Sequence, residues 1–181
     1  MVGEIRTLET ADMAINAALT GHLVISTIHT NTAVEAINRL LNMGIKPFML
    51  AASLNLVVGQ RLVRKVTDGE RIAADPMRDA EIQELLNDLA EKHPDMASSY
   101  QGKVLQAKTI DGSNTQSYAG RTAVMETLTI DEQLKLAILE GKSSAEITAL
   151  AQAQGYITMR QDPLVKILNG ETSIEEIERV F

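Results

Sequence analysis

The chain of 181 residues is 45% hydrophobic, carries a formal net charge of −7 and contains 3% aromatic residues and no cysteine. Such a composition belongs to a globular chain with enough apolar residues for one sizeable core, or for a core with a small appendage. It excludes disulfides and thiolate metal sites, and it argues against a nucleic-acid surface, which needs basic stripes and aromatic stacking platforms. A local basic patch at Arg61, Arg64 and Lys65 is the one exception. No apolar run approaches the ~20 residues of a transmembrane helix, and no basic-then-apolar leader opens the sequence, so a soluble, cytoplasmic protein is expected.

In chain order, Met1 to Ile5 reads as the tail of a strand with Glu4 at its carboxyl end. Thr10 to Leu19 has the spacing of an amphipathic helix, with Ala11, Ala14, Ile15, Ala18 and Leu19 on one face, and Gly21 as its C-cap. Leu23 to Ile28 is short, apolar and rich in β-branched residues, which predicts a strand buried on both faces of a parallel sheet. Four polar residues follow it, His29-Thr30-Asn31-Thr32, at the carboxyl edge where open parallel sheets bind ligands. Thr32 and Glu35 form a capping box that opens a helix over Ala33 to Met43, whose amino end favours an anion such as phosphate. His22 and His29 are seven residues apart, an odd number, so on one extended strand they face opposite ways and cannot grip a metal ion together. Polar strand ends packed against neighbouring loops are the alternative reading of both.

Pro47 restarts a helix that runs to about Asn55. Val57 to Val66 fits a strand or a helix; the strand reading is preferred, pairing with a second strand over Arg121 to Leu128. Between them lies a polar interval, Thr67 to Ser117, with a helix at about Asp79 to Lys92 and a short apolar run near Lys103 to Thr109. Leu85, Leu86 and Leu89 predict that this interval has a small core of its own rather than loose order. From Thr129 the pattern is helical, with helices at about Glu132 to Glu140, Ala145 to Gln154, Met159 to Asn169 and Ile174 to Val180, and with capping boxes at Ser143/Glu146 and Thr172/Glu175. A phosphate-binding loop requires Gly-x-x-x-x-Gly-Lys-Ser/Thr. Gly141-Lys142-Ser143 does not satisfy it, because Leu136 stands where the first glycine belongs, and no other stretch matches.

Met1-Val2-Gly3-Glu4-Ile5-Arg6, Leu8-Glu9-Thr10-Ala11, Thr20-Gly21-His22-Leu23-Val24 through His29-Thr30-Asn31, Gln60-Arg61-Leu62-Val63-Arg64-Lys65 and Thr158-Met159-Arg160-Gln161-Asp162 together resemble the secretion ATPase superfamily of type II secretion and type IV pilus assembly. The first blocks resemble that family's Walker B and His-box motifs. The resemblance implies an α/β fold, the C-terminal portion of a RecA-like P-loop ATPase core with a parallel sheet and helices, followed by a small all-helical subdomain. It implies the core at residues 1–66, an insert at 67–117, a returning core strand at 118–129 and the helical subdomain at 130–181. Glu4 would act on the attacking water, directly or through magnesium, with His29 and His22 sensing the γ-phosphate; Gly3, Arg6 and Thr30 would line the nucleotide. ATP and Mg2+ are the implied cofactors.

The implied partners are further copies of the chain in a hexameric ring and an inner-membrane platform protein, with peripheral membrane association only and no nucleic acid. The family's insert usually holds a zinc ion on two Cys-x-x-Cys pairs; Thr67, Glu70, Ile110 and Ser113 fill those places here, so no zinc is expected. The family usually has aspartate after the arginine of the first block, where this chain has Thr7. Because the family's Walker A precedes Walker B, the chain resembles a C-terminal fragment, inactive by itself, of an ATP-hydrolysing protein. The competing reading is a non-catalytic interaction module derived from such an ATPase.

Overall fold

A computed structural model describes residues 1–90, 94, 100–109, 113 and 115–181. The chain divides into two compact units: residues 1–59 with 126–156, and residues 60–125 with 157–181.

In the first unit Thr7 caps helix α1 (Leu8–Leu19), its hydroxyl accepting from the Thr10 amide at 3.4 Å. The helix starts two residues earlier than its apolar spacing predicts, because the cap and not the first apolar residue sets the boundary. Residues 2–5 then run parallel to 25–27: Val2 N–H donates to the Ile25 carbonyl at 3.0 Å, Ile5 N–H to Thr27 at 2.8 Å and Thr27 N–H to Gly3 at 3.3 Å. The expectation of a strand buried on both faces is corrected here. Leu23 and Ile25 are 86% and 61% exposed, while Val24, Ser26 and Ile28 are half-buried. Period-2 alternation sends the odd-numbered side chains to one face, and among the described residues nothing covers that face.

Helices α2 (Ala33–Asn42) and α3 (Pro47–Ser53) follow, the latter with its proline in the first turn. They pack with α1 and with α5 (Glu132–Leu139) and α6 (Ser144–Ala153) around Ala11, Ile15, Val34, Ile37, Leu50, Leu128, Leu134, Ile138 and Ile147, all of them buried. Gly141, at φ 70°, turns the chain between α5 and α6, and Ser143 with Glu146 forms a complete capping box. This is the helix-to-helix turn expected for Gly141-Lys142-Ser143.

Strand β1 (Leu56–Val66) pairs with β4 (Tyr118–Thr129), as their composition predicts. Each strand begins in one unit and ends in the other. In the second unit β2 (Gly69–Ala73) and β3 (Lys103–Ala107) form an antiparallel pair with Gly69 opposite Ala107 and Ala73 opposite Lys103. Leu86 and Leu89 of helix α4 (Pro76–Ala90) are buried with Val104 and Leu105 against Leu164, Ile167 and Leu168 of α7 (Gln161–Leu168). The interval 67–117 therefore has an apolar core, as its leucines predict, but shares it with α7.

Of the positions that zinc-binding cysteines would fill, Glu70 pairs with Gln106 in the β2/β3 ladder, Thr67 N–H donates to the Ser117 carbonyl at 2.8 Å, and Ser113 bonds Thr115; Ile110 lies outside the described residues. The last helix, α8 (Ile174–Val180), is capped by Ser173, which accepts from the Glu176 amide, and not by Thr172, whose hydroxyl donates to the Arg64 carbonyl at 3.0 Å. Residues 130–181 are thus divided: α5 and α6 fall in the first unit, α7 and α8 in the second. Among the described residues no helix is long and apolar enough to cross a membrane.

Candidate functional site

The parallel pairing of residues 2–5 with 25–27 fixes where Glu4 sits, because Glu4 lies opposite Thr27 and two residues short of His29. The Thr27 hydroxyl donates to the Gly3 carbonyl at 3.0 Å and holds the two segments in register. The Glu4 carboxylate then receives two partners. Arg6 Nη2 lies 2.7 Å from Oε2 and His29 Nε2 lies 3.1 Å from Oε1. The Arg6 guanidinium, and more weakly the nearby His29 and Arg39, hold the Glu4 carboxyl below the usual carboxylate range, so it is ionised at neutral pH. His29 and Arg6 are largely exposed, with side chains 81% and 74% accessible, and both are open to a ligand.

The loop from His29 to Thr32 is held by local hydrogen bonds. The Thr30 hydroxyl donates to the Thr32 carbonyl at 3.0 Å; the Thr32 hydroxyl accepts from the Glu35 amide at 3.2 Å; a Glu35 oxygen accepts from the Asn31 amide at 3.1 Å. Glu35 therefore reaches one residue further back than a standard capping box requires. An open groove of about 760 Å3 runs from His29 and Thr30 along the outer face of α2, past Glu35, Asn38, Arg39 and Asn42.

Several residues singled out by sequence thus meet. Gly3, Glu4, Arg6 and His29 form one cluster, and Thr30 stands beside it. His22 does not join them. It lies at the other end of the extended segment, with Nδ1 3.1 Å from the Thr20 hydroxyl and 3.3 Å from the Ala17 carbonyl, where it closes the turn after α1. Among the described residues no group of three or more His, Asp or Glu side chains could hold a metal ion.

The anion expected at the amino end of α2 is already present, and it belongs to the chain. Glu126 of β4 is 2% exposed and accepts a hydrogen bond from the Ala33 amide. It also bonds Tyr156, whose hydroxyl is pushed well above its usual pKa by burial and then by that carboxylate. Sequence reasoning passed over Glu126, although a signal exists. Val124, Glu126 and Leu128 alternate on the buried side of β4, and a charged residue between two apolar ones in that register requires partners.

Comparison with known proteins places the chain in a family. The family model described as "Type II/IV secretion system protein" matches residues 1–179. The chain is 42% identical over 183 aligned residues to the type II secretion system protein E of Xanthomonas campestris pv. campestris, covering 99% of this chain and 30% of that protein. It is 44% identical to the type IV pilus assembly ATPase PilB of Thermus thermophilus, covering 98% of this chain and 19% of that one. It therefore spans under a third of the length of these relatives. Among solved structures it superposes over 98% of its length on the pilus retraction motor PilT with bound ADP, with TM-score 0.63, 23% identity and 37% of that chain covered. The Legionella pneumophila ATPase DotB gives TM-score 0.60 at 22% identity, covering 98% of this chain and 36% of that one. The fold is that of these ATPases, and the chain belongs to the type II/IV secretion system protein family.

Proposed function

We propose that the chain is the part of a cytoplasmic ATPase that carries its hydrolytic carboxylate, and that the whole protein powers type IV pilus assembly or type II secretion. The observation that carries the reading is the Glu4 carboxylate, ionised and held between Arg6 and His29 at the end of a parallel strand. P-loop enzymes present a carboxylate in such a position to the magnesium and the attacking water. Magnesium nucleotide supplies the phosphoryl group; Glu4 orients the water, His29 and Thr30 face the terminal phosphate, and Gly3 and Arg6 fix the carboxylate.

Assembly or secretion is favoured over retraction because curated relatives at 36 to 44% identity are type IV pilus assembly ATPases and type II secretion proteins. The full protein then works as a ring of six copies at the cytoplasmic face of the inner membrane, bound to it through a platform protein. The Thr7 departure does not weaken the reading, since threonine and aspartate both cap helices, and Thr7 caps α1.

The test is steady-state ATP hydrolysis by the whole protein with Glu4 and His29 replaced singly. His29→Ala is expected to lower turnover about tenfold, less than the loss of the carboxylate, because it removes an assisting group. Unchanged rates in both variants reject the reading. The 181-residue chain by itself has no phosphate-binding loop, and calorimetric titration with ATP and magnesium should show no binding at micromolar concentrations. Micromolar affinity would place a nucleotide site elsewhere in this chain.

A further inference from the structure

Glu126 does more than satisfy one helix end. The chain passes between the two units at three points, after Gly59, before Glu126 and after Tyr156. Glu126 is one of the bordering residues of the first unit, and the other two, Gly59 and Tyr156, both meet its side chain. Tyr156 hydrogen-bonds it, and Gly59 lies so close that a Cβ built there would stand 2.7 Å from the Glu126 Cγ and Oε1, so any side chain at 59 would push Glu126 aside. The same Oε1 accepts from the amide of Ala33, the first residue of α2. Ala33 directly follows the loop whose other end is His29 on the Glu4 carboxylate.

A buried carboxylate is retained only where hydrogen bonds replace the water it has lost. Here those bonds come from the Ala33 amide, directly after the loop that carries His29, and from the Tyr156 hydroxyl. We propose that Glu126 is a positioning residue for hydrolysis, holding the His29–Thr32 loop at Glu4 through the Ala33 amide, with Gly59 and Tyr156 fixing the Glu126 side chain inside the first unit. Gly59 is the second part of the device, since its missing side chain is the space that Glu126 occupies. The proposal rests on the reading of Glu4 as the hydrolytic carboxylate.

The experiment measures ATP turnover per bound nucleotide in the whole protein, with hydrogen exchange of the Ala33 amide followed in the 181-residue chain. Gly59→Ala keeps every polar group but displaces Glu126; it should lower turnover per site about tenfold, because small misplacements near reacting groups have large effects. Exchange at Ala33 should rise in the same variant. Glu126→Ala should do both. Glu126→Gln retains an acceptor for the Ala33 amide and should recover most of the turnover.

The double variant Gly59→Ala/Glu126→Ala should be no worse than Glu126→Ala, since both changes break one contact and their effects are not additive. If Glu126→Ala does not fold, Gly59→Ala with its exchange measurement decides the matter. Wild-type turnover in Gly59→Ala and Glu126→Ala, with Glu4→Gln inactive, overturns the role of Glu126 alone. Additive losses in the double variant overturn it equally. Normal turnover in Glu4→Gln overturns both this inference and the reading beneath it.

Discussion

Glu4→Gln in the whole protein should lower ATP turnover about a hundredfold or more, the range expected when a positioned acid–base group is lost. Nucleotide binding should stay close to wild type, because most of it comes from phosphate contacts that Glu4 does not make. The substitution is nearly isosteric. Glutamine keeps one acceptor oxygen, enough for Arg6, and neither the backbone pairing of residues 2–5 with 25–27 nor the local bonds of the His29–Thr32 loop use the carboxylate, so both are retained. What disappears is the charge that Arg6 keeps ionised. A fall in kcat with little change in nucleotide affinity separates this from a loss of folding, which removes both.

The second large effect is on stability and lies in the second unit. The Glu176 side chain is fully buried and meets two guanidiniums, Arg64 Nη2 at 2.7 Å and Arg179 Nη2 at 2.6 Å, and it also accepts from the Arg64 amide at 2.9 Å. Arg64 lies over the Tyr118 ring, 4.1 Å from its centre. Glu176→Ala leaves the half-buried Arg64 guanidinium and the Arg64 amide without their acceptor. Removing one member of a buried, hydrogen-bonded pair typically costs about 3 to 5 kcal/mol, a large fraction of the stability of an ordinary domain. Urea unfolding should therefore show a much lower midpoint, and a change below about 0.5 kcal/mol would mean that the pair is idle.

The same pair fixes a pH dependence. Burial raises the Glu176 pKa, but the hydrogen bonds from Arg179 and Arg64 outweigh it and bring it down to about 2. A depressed carboxyl pKa contributes stability that is present above the unfolded value and lost as pH falls through the folded value. The wild-type protein should thus lose stability between about pH 4.5 and 2, and Glu176→Gln should flatten that slope.

Much of this arrangement is legible in the residues alone. Strands β1 and β4, helix α2 with its Thr32 cap, and the turn at Gly141 follow from β-branched composition, capping residues and glycine, all of which act within a few positions. That Glu4 and His29 belong to one site follows from resemblance of motifs, since the 24 residues between them give no local sign of pairing. Strand β2 went unread because Gly69-Glu70-Arg71 lacks strand composition and pairs only because β3 is present. Exposure of Leu23 and Ile25 could not be read either, since an apolar run reports what a segment can bury and not what lies beside it. The division of α5 and α6 from α7 and α8 rests on contacts distant in sequence, and helical periodicity is the same for both pairs. Choosing Ser173 over Thr172 as the cap of α8 depended on Arg64, whose carbonyl takes the Thr172 hydroxyl.

The central claim is that Glu4 acts at the chemical step of a nucleotide site completed by the rest of the protein. It is tested most directly by a single turnover: the whole protein is loaded with ATP and magnesium, stripped of free nucleotide, and the bound nucleotide is identified over time. Wild-type protein should release its nucleotide as ADP, while Glu4→Gln should hold unhydrolysed ATP. Conversion to ADP at the same rate in both would contradict the claim.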